Sequence, residues 1–510
     1  MILKQGERFE DEFGYFYLLG KKVNEGGQGA VYRIDGDDDI ALKIAVSHNE
    51  NNPQNSTQQE DDNPLTVINE DVKEVEKLRQ RLNNVRLLPI PKTLNISRPL
   101  CLIKDGAGYI MSFMGGMDSF RKFMEKIHSE KTEDYPCFKI DIDGNPTEDA
   151  DYFLSYIKSG DTRKRLNALG KAATALAELH SQGLIFGDVS EGNIMYSSDK
   201  SHIRIGLIDV DNICFENKIG GDPIFTPGLG APEIVNGTSG ANSMSDSFAF
   251  AVMAFRLLTL LHPFDDGDNQ SDAWSQQAIN EIPKEGDKPW IYDRNDDSNK
   301  VKENKAQIYV PLAMSLNDNF ELFQNTFSRG LKKPIYRTPL INWSSSFIKA
   351  ADKMIKCPKC KMTYFYDYKD ADTGKYGCPW CDEKNPDYIK ATSYFVSDNG
   401  VSPENRWEYC HEIQDRSSVI LPRRMFSLFS TMTGDDDSVS IYRKDDELIF
   451  ENLCENIDVF IATDDKRDFI KITRRHSFKW TKNKPFYLYS TDKKMKRSIL
   501  VVLKYTNGDD

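Results

Sequence analysis

Leu184-Ile185-Phe186-Gly187-Asp188-Val189-Ser190-Glu191-Gly192-Asn193-Ile194 and, a little further on, Gly206-Leu207-Ile208-Asp209-Val210-Asp211 decide how this chain is read. In each stretch a short apolar run delivers a carboxylate to a turn. The first adds an amide, Asn193, five residues after its aspartate. One aspartate can orient an attacking hydroxyl, while the asparagine and the second aspartate can hold magnesium against a triphosphate. The two stretches therefore read as one phosphoryl-transfer site.

Upstream, Val23-Asn24-Glu25-Gly26-Gly27-Gln28-Gly29-Ala30-Val31-Tyr32 reads as the turn of a strand–turn–strand pair over residues 15–45. Glycines let the backbone close over phosphates, and their amides can face the oxygens. A glycine cluster alone is weak evidence, but Ala41-Leu42-Lys43-Ile44 follows on the next strand. The bland reading of Lys43 is a lysine snorkelling from a strand. Residues 48–68 are rich in Asn, Gln and acids without an apolar period and read as a loop insertion. Val72, Val75, Leu78 and Leu82 then fall at helical spacing, as do Leu166, Leu169, Ala173, Leu176 and His180. His180 reads as a core histidine. Between these helices, Tyr109-Ile110-Met111-Ser112-Phe113-Met114-Gly115-Gly116 is an apolar strand running into a glycine pair, and about Lys131 to Gly160 reads as an insertion. Its Asp141-Ile142-Asp143-Gly144-Asn145 lacks the full calcium-loop pattern and reads as a turn.

From about Tyr15 to Ala351 these stretches resemble the eukaryotic-type protein kinases. The resemblance implies a bilobal kinase fold over 10–352, with an N-lobe of about 10–113 and a C-lobe of about 114–352. It implies ATP and Mg²⁺ as cofactors, with Asp188, Lys43, Asn193 and Asp209 as catalytic residues and Asn193 and Asp209 as magnesium ligands. Gly26, Gly27, Gly29 and Val31 would cover the phosphates. Glu74 would pair with Lys43, with Glu70 as the fallback and a solvated helix face as the bland reading. Met111, Phe113 and Met114 would border the adenine. Phe225-Thr226-Pro227-Gly228-Leu229-Gly230-Ala231-Pro232-Glu233 resembles the peptide-positioning segment, so Thr226 should contact Asp188 and Arg337 should pair with Glu233.

The chain departs from the kinase pattern at several places. Asn24 stands at the first glycine position, Phe186-Gly187 replaces His-Arg, and Ser190 replaces Lys. Without that arginine there is no clamp for an activation-loop phosphate. Without the lysine a cation near the transferred group is lost, which implies a slower enzyme. Asp209-Val210-Asp211 replaces Asp-Phe-Gly; Asp211 either caps a turn or touches a second ion, and the residues alone leave both open.

The 510 residues are enough for two or three domains, and a net charge of −13 argues against general binding to nucleic acid or membranes. No apolar h-region follows the first residues, so no secretory signal is expected. The most apolar run, Phe248 to Leu261, is shorter than the ~20 residues of a membrane span and contains Arg256, so a buried helix is expected. Nine cysteines then point to thiols in a reducing, cytoplasmic compartment.

Cys357-Pro358-Lys359-Cys360 and Cys378-Pro379-Trp380-Cys381 form two Cys-x-x-Cys knuckles separated by 17 residues. Four thiolates meeting tetrahedrally make a structural Zn²⁺ site without an open position, and 353–390 looks like a zinc ribbon. Paired disulfides or a redox dithiol are the alternatives. Residues 391–510 read as a β-rich domain, with strands at Val419-Leu421, Val439-Tyr442, Leu448-Phe450, Val459-Ile461 and Ser498-Leu503. A forkhead-associated-like sandwich is expected, without a clear phosphothreonine-binding motif. Lys466 to Lys504 holds thirteen Lys or Arg against two Asp, which fits a phosphopeptide, an acidic partner or nucleic acid; a solvated face is the bland reading.

The fold class expected is thus multidomain α+β: a bilobal kinase, a zinc ribbon, then an all-β domain. The layout resembles a bacterial family of kinase–zinc-ribbon proteins, marked by Phe186-Gly187-Asp188 and Leu207-Ile208-Asp209-Val210-Asp211. Members resemble the kinase of phosphorylation triads, which implies a protein substrate and, as partners, a von Willebrand A-domain protein and a metal-dependent phosphatase. The expected function is a Ser/Thr protein kinase. The alternative is a nucleotide-binding pseudokinase scaffold acting through the ribbon and β domain, favoured by the lost His-Arg and Lys. A small-molecule kinase is opposed by the Thr226 segment and Arg337, which build a peptide-docking lobe.

Overall fold

The computed structural model describes residues 2–26, 29–44, 66–67, 72–197, 203–216, 225–264, 288–301, 318–370, 373–427, 437–454, 457–463, 468–481, 484–492 and 498–506. Near its start, an antiparallel sheet contains β1 (Arg8–Glu10), β2 (Phe16–Gly26), β3 (Gly29–Ile34) and β4 (Asp37–Ile44). After helix α1 (Val72–Arg86) it is completed by β5 (Pro99–Leu102) and β6 (Gly108–Ser112), in the lateral order β1-β2-β3-β4-β6-β5. Alternation sorts its two faces. Ala30, Tyr32, Ile34, Leu42 and Ile44 pack on one side with Leu19 and Ile110. Ala41, Tyr109 and Met111 face the other way, under Leu82 of α1. Lys43 shares this second face, because residues two apart on a strand point the same way.

The following part is mainly helical. Helix α2 (Ala150–Gly160) leads into α3 (Thr162–Ser181), whose first turn is capped by Asp161 accepting from the Lys164 amide. Leu166, Leu169, Ala173 and Leu176 form the buried stripe expected of α3. A small sheet of β7 (Met117–Ser119), β8 (Ile194–Ser197) and β9 (Ile205–Leu207) lies in the order β9-β8-β7. Helix α4 (Ser243–Thr259), the expected buried helix, opens on a capping box between Asn242 and Ser245. Helix α5 (Leu340–Asp352) crosses α3 at Gly170, where a Cβ would come within 2.7 Å of the Ile348 side chain.

The stretch from about Lys131 to Gly160, read as an insertion, ends in α2. Phe153 and Tyr156 of α2 pack toward the cysteine module and Leu154 toward Tyr135, while Ala150, Phe153, Leu154 and Ile157 stand at helical spacing on one face. Asp141 does form a turn, its Oδ1 accepting from the amides of Asp143 and Asn145.

A hairpin of β10 (Met354–Lys356) and β11 (Thr363–Phe365) follows α5. Two antiparallel sheets come next. One contains β12 (Tyr388–Ser397) and β13 (Trp407–Glu412). The other contains β14 (Ser418–Pro422), β15 (Asp437–Lys444) and β16 (Glu447–Asn452). Strand β17 (Ile457–Ala462) returns to the first sheet, β18 (His476–Lys479) to the second, and β19 (Phe486–Asp492) and β20 (Ser498–Thr506) complete the first. Alternate residues of both sheets, Val439 and Ile441 against Leu488 and Val501 among them, fill one shared core.

The parts are joined through buried side chains. Ile348 of α5 belongs to the core between the two β sheets. Asp352, at the end of α5, accepts bonds from Arg424 at 2.7 and 2.5 Å and from the Trp407 indole at 2.7 Å. Arg163, at the head of α3, pairs with Glu412 of β13 at 2.5 Å, and the Lys356 amide reaches the same carboxylate at 3.1 Å. Among the described residues no helix is long and apolar enough to cross a membrane.

Candidate active site

The loop carrying Asp188 is anchored by Leu184, Ile185 and Phe186, all fully buried. Gly187 has φ +85°, a conformation that most side chains disfavour, and a Cβ there would stand 3.1 Å from the Asn212 carbonyl oxygen. The glycine in place of the usual arginine is thus a backbone requirement of this loop. Asp246, at the start of α4, accepts the amides of Phe186 at 2.8 Å and Gly187 at 3.0 Å. It also meets His180 Nε2 at 3.0 Å. His180 is therefore part of this bracing cluster and not an apolar core residue. These contacts of Asp246 join residues some sixty positions apart, which no local sequence pattern announces.

The Asp188 carboxylate is held from two sides. Thr226 Oγ1 donates to Oδ1 at 2.8 Å, and Asn193 Nδ2 donates to Oδ2 and to the Asp188 carbonyl, each at 3.0 Å. Burial and then the charge of Asp209 raise its pKa above the ordinary carboxylate value, against the hydrogen bonds from Thr226 and Asn193 that lower it. Asn193 is tied to the second stretch by pairing of β8 with β9 and by the Ile208 amide donating to its carbonyl at 3.0 Å.

Asp209 sits in the left-handed region, φ 57°, directly before a tight turn over Val210–Asn212. Lys43 of β4 crosses from the N-terminal sheet to bond Asp209, and its Nζ lies 3.0 Å from Asp211 Oδ2. Tyr109, cross-strand from Lys43, donates to Asp211 Oδ1 at 2.6 Å, and Arg81 of α1 approaches Asp211 Oδ2 at 3.7 Å. Burial opposes the charge of Lys43, but the carboxylates of Asp211 and Asp209 outweigh it and hold the amine well above its ordinary value. Burial and Asp211 likewise push the Tyr109 hydroxyl up, so it donates as a neutral phenol.

The structure thus brings Lys43, Asp188, Asn193, Asp209 and Thr226 to one cleft. Glu70, Gly27 and the side chain of Glu74 lie outside the described residues; the Glu74 backbone is helical in α1. Gly26 and Gly29 end β2 and begin β3, and Val31 is paired with Lys43 across β3 and β4. Met111 is buried opposite Ala41. Phe113 lies under Arg33, whose guanidinium is 4.0 Å from the ring centre. Met114 Sδ rests against Gly206, where a Cβ would collide with it.

Two buried ion pairs brace the helical part. Both Glu233 oxygens receive Arg337 at 2.7 Å, and Arg337 also donates to the carbonyls of Gly330 and Met244. Arg256 of α4 pairs with Glu191, next in the catalytic-type loop, at 2.8 Å.

The cysteine module repeats one local geometry twice. Lys361 and Asp382, each directly after a second cysteine, have φ of 66° and 55°. Their amides donate back to Cys357 and Cys378, whose own amides reach the carbonyls of Met362 and Glu383. The sulfurs of Cys357 and Cys381 lie 3.6 Å apart and those of Cys360 and Cys378 3.5 Å apart, with all four within 4.8 Å of one another. Tetrahedral Zn–S bonds of ~2.3 Å require S···S separations of about 3.8 Å, so the donor set fits zinc.

Residues 145–356, less than half of the chain, match the family described as Protein kinase domain. Asp188, Asn193, Asp209, Glu233 and Arg337 all fall within the matched residues. No curated protein matches the chain. Among solved structures it is similar to the crystal structure of a double mutant of the PknI kinase domain of Mycobacterium tuberculosis, at 14% identity and a TM-score of 0.39, covering 69% of this chain and 100% of that one. A single mutant of the same domain matches at 16% identity and a TM-score of 0.35, with the same coverage.

Proposed function

We propose that the chain is an ATP- and magnesium-dependent Ser/Thr protein kinase acting in bacterial signalling in the cytoplasm. The observation that carries this reading is the meeting of Asp188 with Thr226 and Asn193 while Lys43 from the N-terminal sheet reaches Asp209. We assign residues 10–352 to the catalytic part, 353–390 to a structural zinc ribbon held by Cys357, Cys360, Cys378 and Cys381, and 391–510 to a forkhead-associated-like sandwich.

Asp188 accepts a hydrogen bond from the substrate hydroxyl and takes its proton as the phosphoryl group is transferred. Thr226 and Asn193 fix the two oxygens so that the carboxylate faces the incoming group. Because the Asn193 amide nitrogen is spent on Asp188, its oxygen is the atom offered to a cation, with Asp209 as the companion ligand. Magnesium bound between them would neutralise phosphate charge. An ammonium carries three N–H donors; Lys43 directs donors to Asp209 and Asp211, and a third serves a phosphate oxygen. Gly26, Gly27, Gly29 and Val31 cover the phosphates, and Met111, Phe113 and Met114 border the base. The assignment of Glu74 as a brace for Lys43 rests on sequence alone.

The substrate is a protein presented by the lobe that Glu233 and Arg337 hold together. The resemblance adds a von Willebrand A-domain protein and a metal-dependent phosphatase as partners, and the basic strands near the C-terminal end fit an acidic or phosphorylated polypeptide. Incubation of wild type and Asp188→Ala with labelled ATP, Mg²⁺ and a generic protein substrate tests the reading. Label transfer by wild type alone is expected; equal transfer by both, or transfer by neither, overturns it.

A further inference from the structure

We propose that Asp211 is a positioning residue of the nucleotide cleft: it orients the Lys43 amine and locks α1 to the metal-binding stretch. This goes beyond the assignment of Asp209 and rests on the nucleotide-cleft reading above. Three elements of the N-terminal part converge on this one carboxylate. Lys43 comes from β4, Tyr109 from β6 and Arg81 from α1, at 3.0, 2.6 and 3.7 Å. Lys43 and Tyr109 are direct cross-strand partners, so their side chains leave the sheet side by side and grip neighbouring atoms of the same group.

A second-ion role for Asp211 does not suit these contacts. Its side chain is 3% exposed, Oδ1 is occupied by the Tyr109 hydroxyl, and Oδ2 lies between two cationic side chains. A divalent ion would have to displace Lys43 and sit against Arg81. A simple turn cap does not suit them either, because the carboxylate bonds side chains far away in the chain, at Lys43 and Tyr109. The substitution of the usual glycine by Asp211 therefore moves an anchor for the lysine onto the same turn that carries the metal-binding aspartate. Closure of the N-terminal sheet over Asp209 and orientation of Lys43 become one event.

Five proteins test this: wild type, Lys43→Ala, Asp211→Asn, Tyr109→Phe, and Asp211→Asn in a Lys43→Ala background. Thermal melts first establish that each is folded, and the Tyr109→Phe variant, which removes one oxygen only, keeps the test open if Asp211→Asn does not fold. In the absence of nucleotide, acylation of Lys43 by a water-soluble amine reagent, mapped by mass spectrometry, should be several-fold faster in Asp211→Asn and Tyr109→Phe. This readout does not depend on the protein being a kinase. For phosphoryl transfer, loss of a charged hydrogen bond predicts about a tenfold or larger fall in kcat/KM for Asp211→Asn, with the Mg²⁺ concentration dependence unchanged and no further fall in the Lys43→Ala background. Unchanged acylation of Lys43, or a raised Mg²⁺ requirement that persists in the Lys43→Ala background, overturns the proposal. Absence of transfer by wild type with faster acylation in the variants overturns the kinase reading and leaves the positioning role standing.

Discussion

Asp188 receives its two side-chain bonds from unlike sources, and their loss should be felt differently. Asn193 lies in the same loop and has a second proposed task at the cation. Thr226 comes from the distant segment Phe225 to Glu233, so its side-chain bond to Asp188 is a matter of aim. Replacing it by valine keeps the shape and removes the donor. Misplacement of a reacting group by about an ångström can cost on the order of a hundredfold in rate. Thr226→Val should therefore lower kcat by about ten- to a hundredfold with little change in the KM for ATP, and Thr226→Ser should restore most of it; steady-state kinetics decide. An equal loss in both terms would mean that Thr226 acts on nucleotide binding. At this scale the residues that carry chemistry were legible, because Asp188, Asn193 and Asp209 must stand at fixed spacings on turns. Their supports were not. Gly187 reads as a lost arginine until its φ of +85° is known. Asp246 and Asp211 act on partners far off in sequence, and no local pattern announces such partners.

Helix α4 shows what an element adds. Its C-terminal end turns at Leu260, φ 59°, and His262 then bridges two segments. The Nε2 proton of His262 is directed to the Gly228 carbonyl at 3.1 Å, while Nδ1 accepts from the Phe264 amide at 3.2 Å. Only the neutral ring can do both. Burial, and then the charge of Arg256, push its pKa from 6.5 to about 3. The unfolded chain therefore binds a proton that the folded chain refuses between these two values. Stability from this site is complete above pH 6.5 and is lost as the pH falls toward 3, with a slope of up to about 1.4 kcal/mol per pH unit. His262→Gln, which keeps one donor and one acceptor but does not titrate, should flatten that part of the acid-unfolding curve measured by circular dichroism. An unchanged slope would place the titration elsewhere. Elements were legible where one face is apolar, as in α3 or in β15, β16 and β17. They were not where polar residues are buried. The strand β12 carries Thr392 and Ser393, both buried, and β19 carries the buried Ser490, so their alternation is hidden. Helix α2 was missed although Ala150, Phe153, Leu154 and Ile157 stand at helical spacing.

Across the whole molecule the sequence divides more cleanly than the packing does. The cysteine knuckles and the change to strand-like sequence mark boundaries near Lys353 and Ala391, yet no core stops at either one. Phe153, Tyr156 and Leu260 pack with Ile355, Cys357 and Met362, and that cluster continues to Tyr388 and Cys410. Ile348, Asp352 and Arg163 of the helical part are completed by the core of the β sheets, by Arg424 and Trp407, and by Glu412. Removing one partner of a buried ion pair costs about 3–5 kcal/mol, and a whole domain is stable by only about 5–15 kcal/mol. A chain ending at Asp352 would lose the partners of both Asp352 and Arg163 and would expose Ile348. It should therefore be insoluble or unfold well below the full chain, although it retains every residue assigned to catalysis. The cysteine module sits between the two larger parts, so zinc held there should stabilise both. A chelator strong enough to remove zinc under reducing conditions should lower the unfolding temperature of the catalytic part and of the β sheets together, in one calorimetric transition, and one zinc per chain should restore it. Two transitions, with only the later strands responding to the chelator, would show that the catalytic part stands alone and that the shared cores do not couple it to the rest.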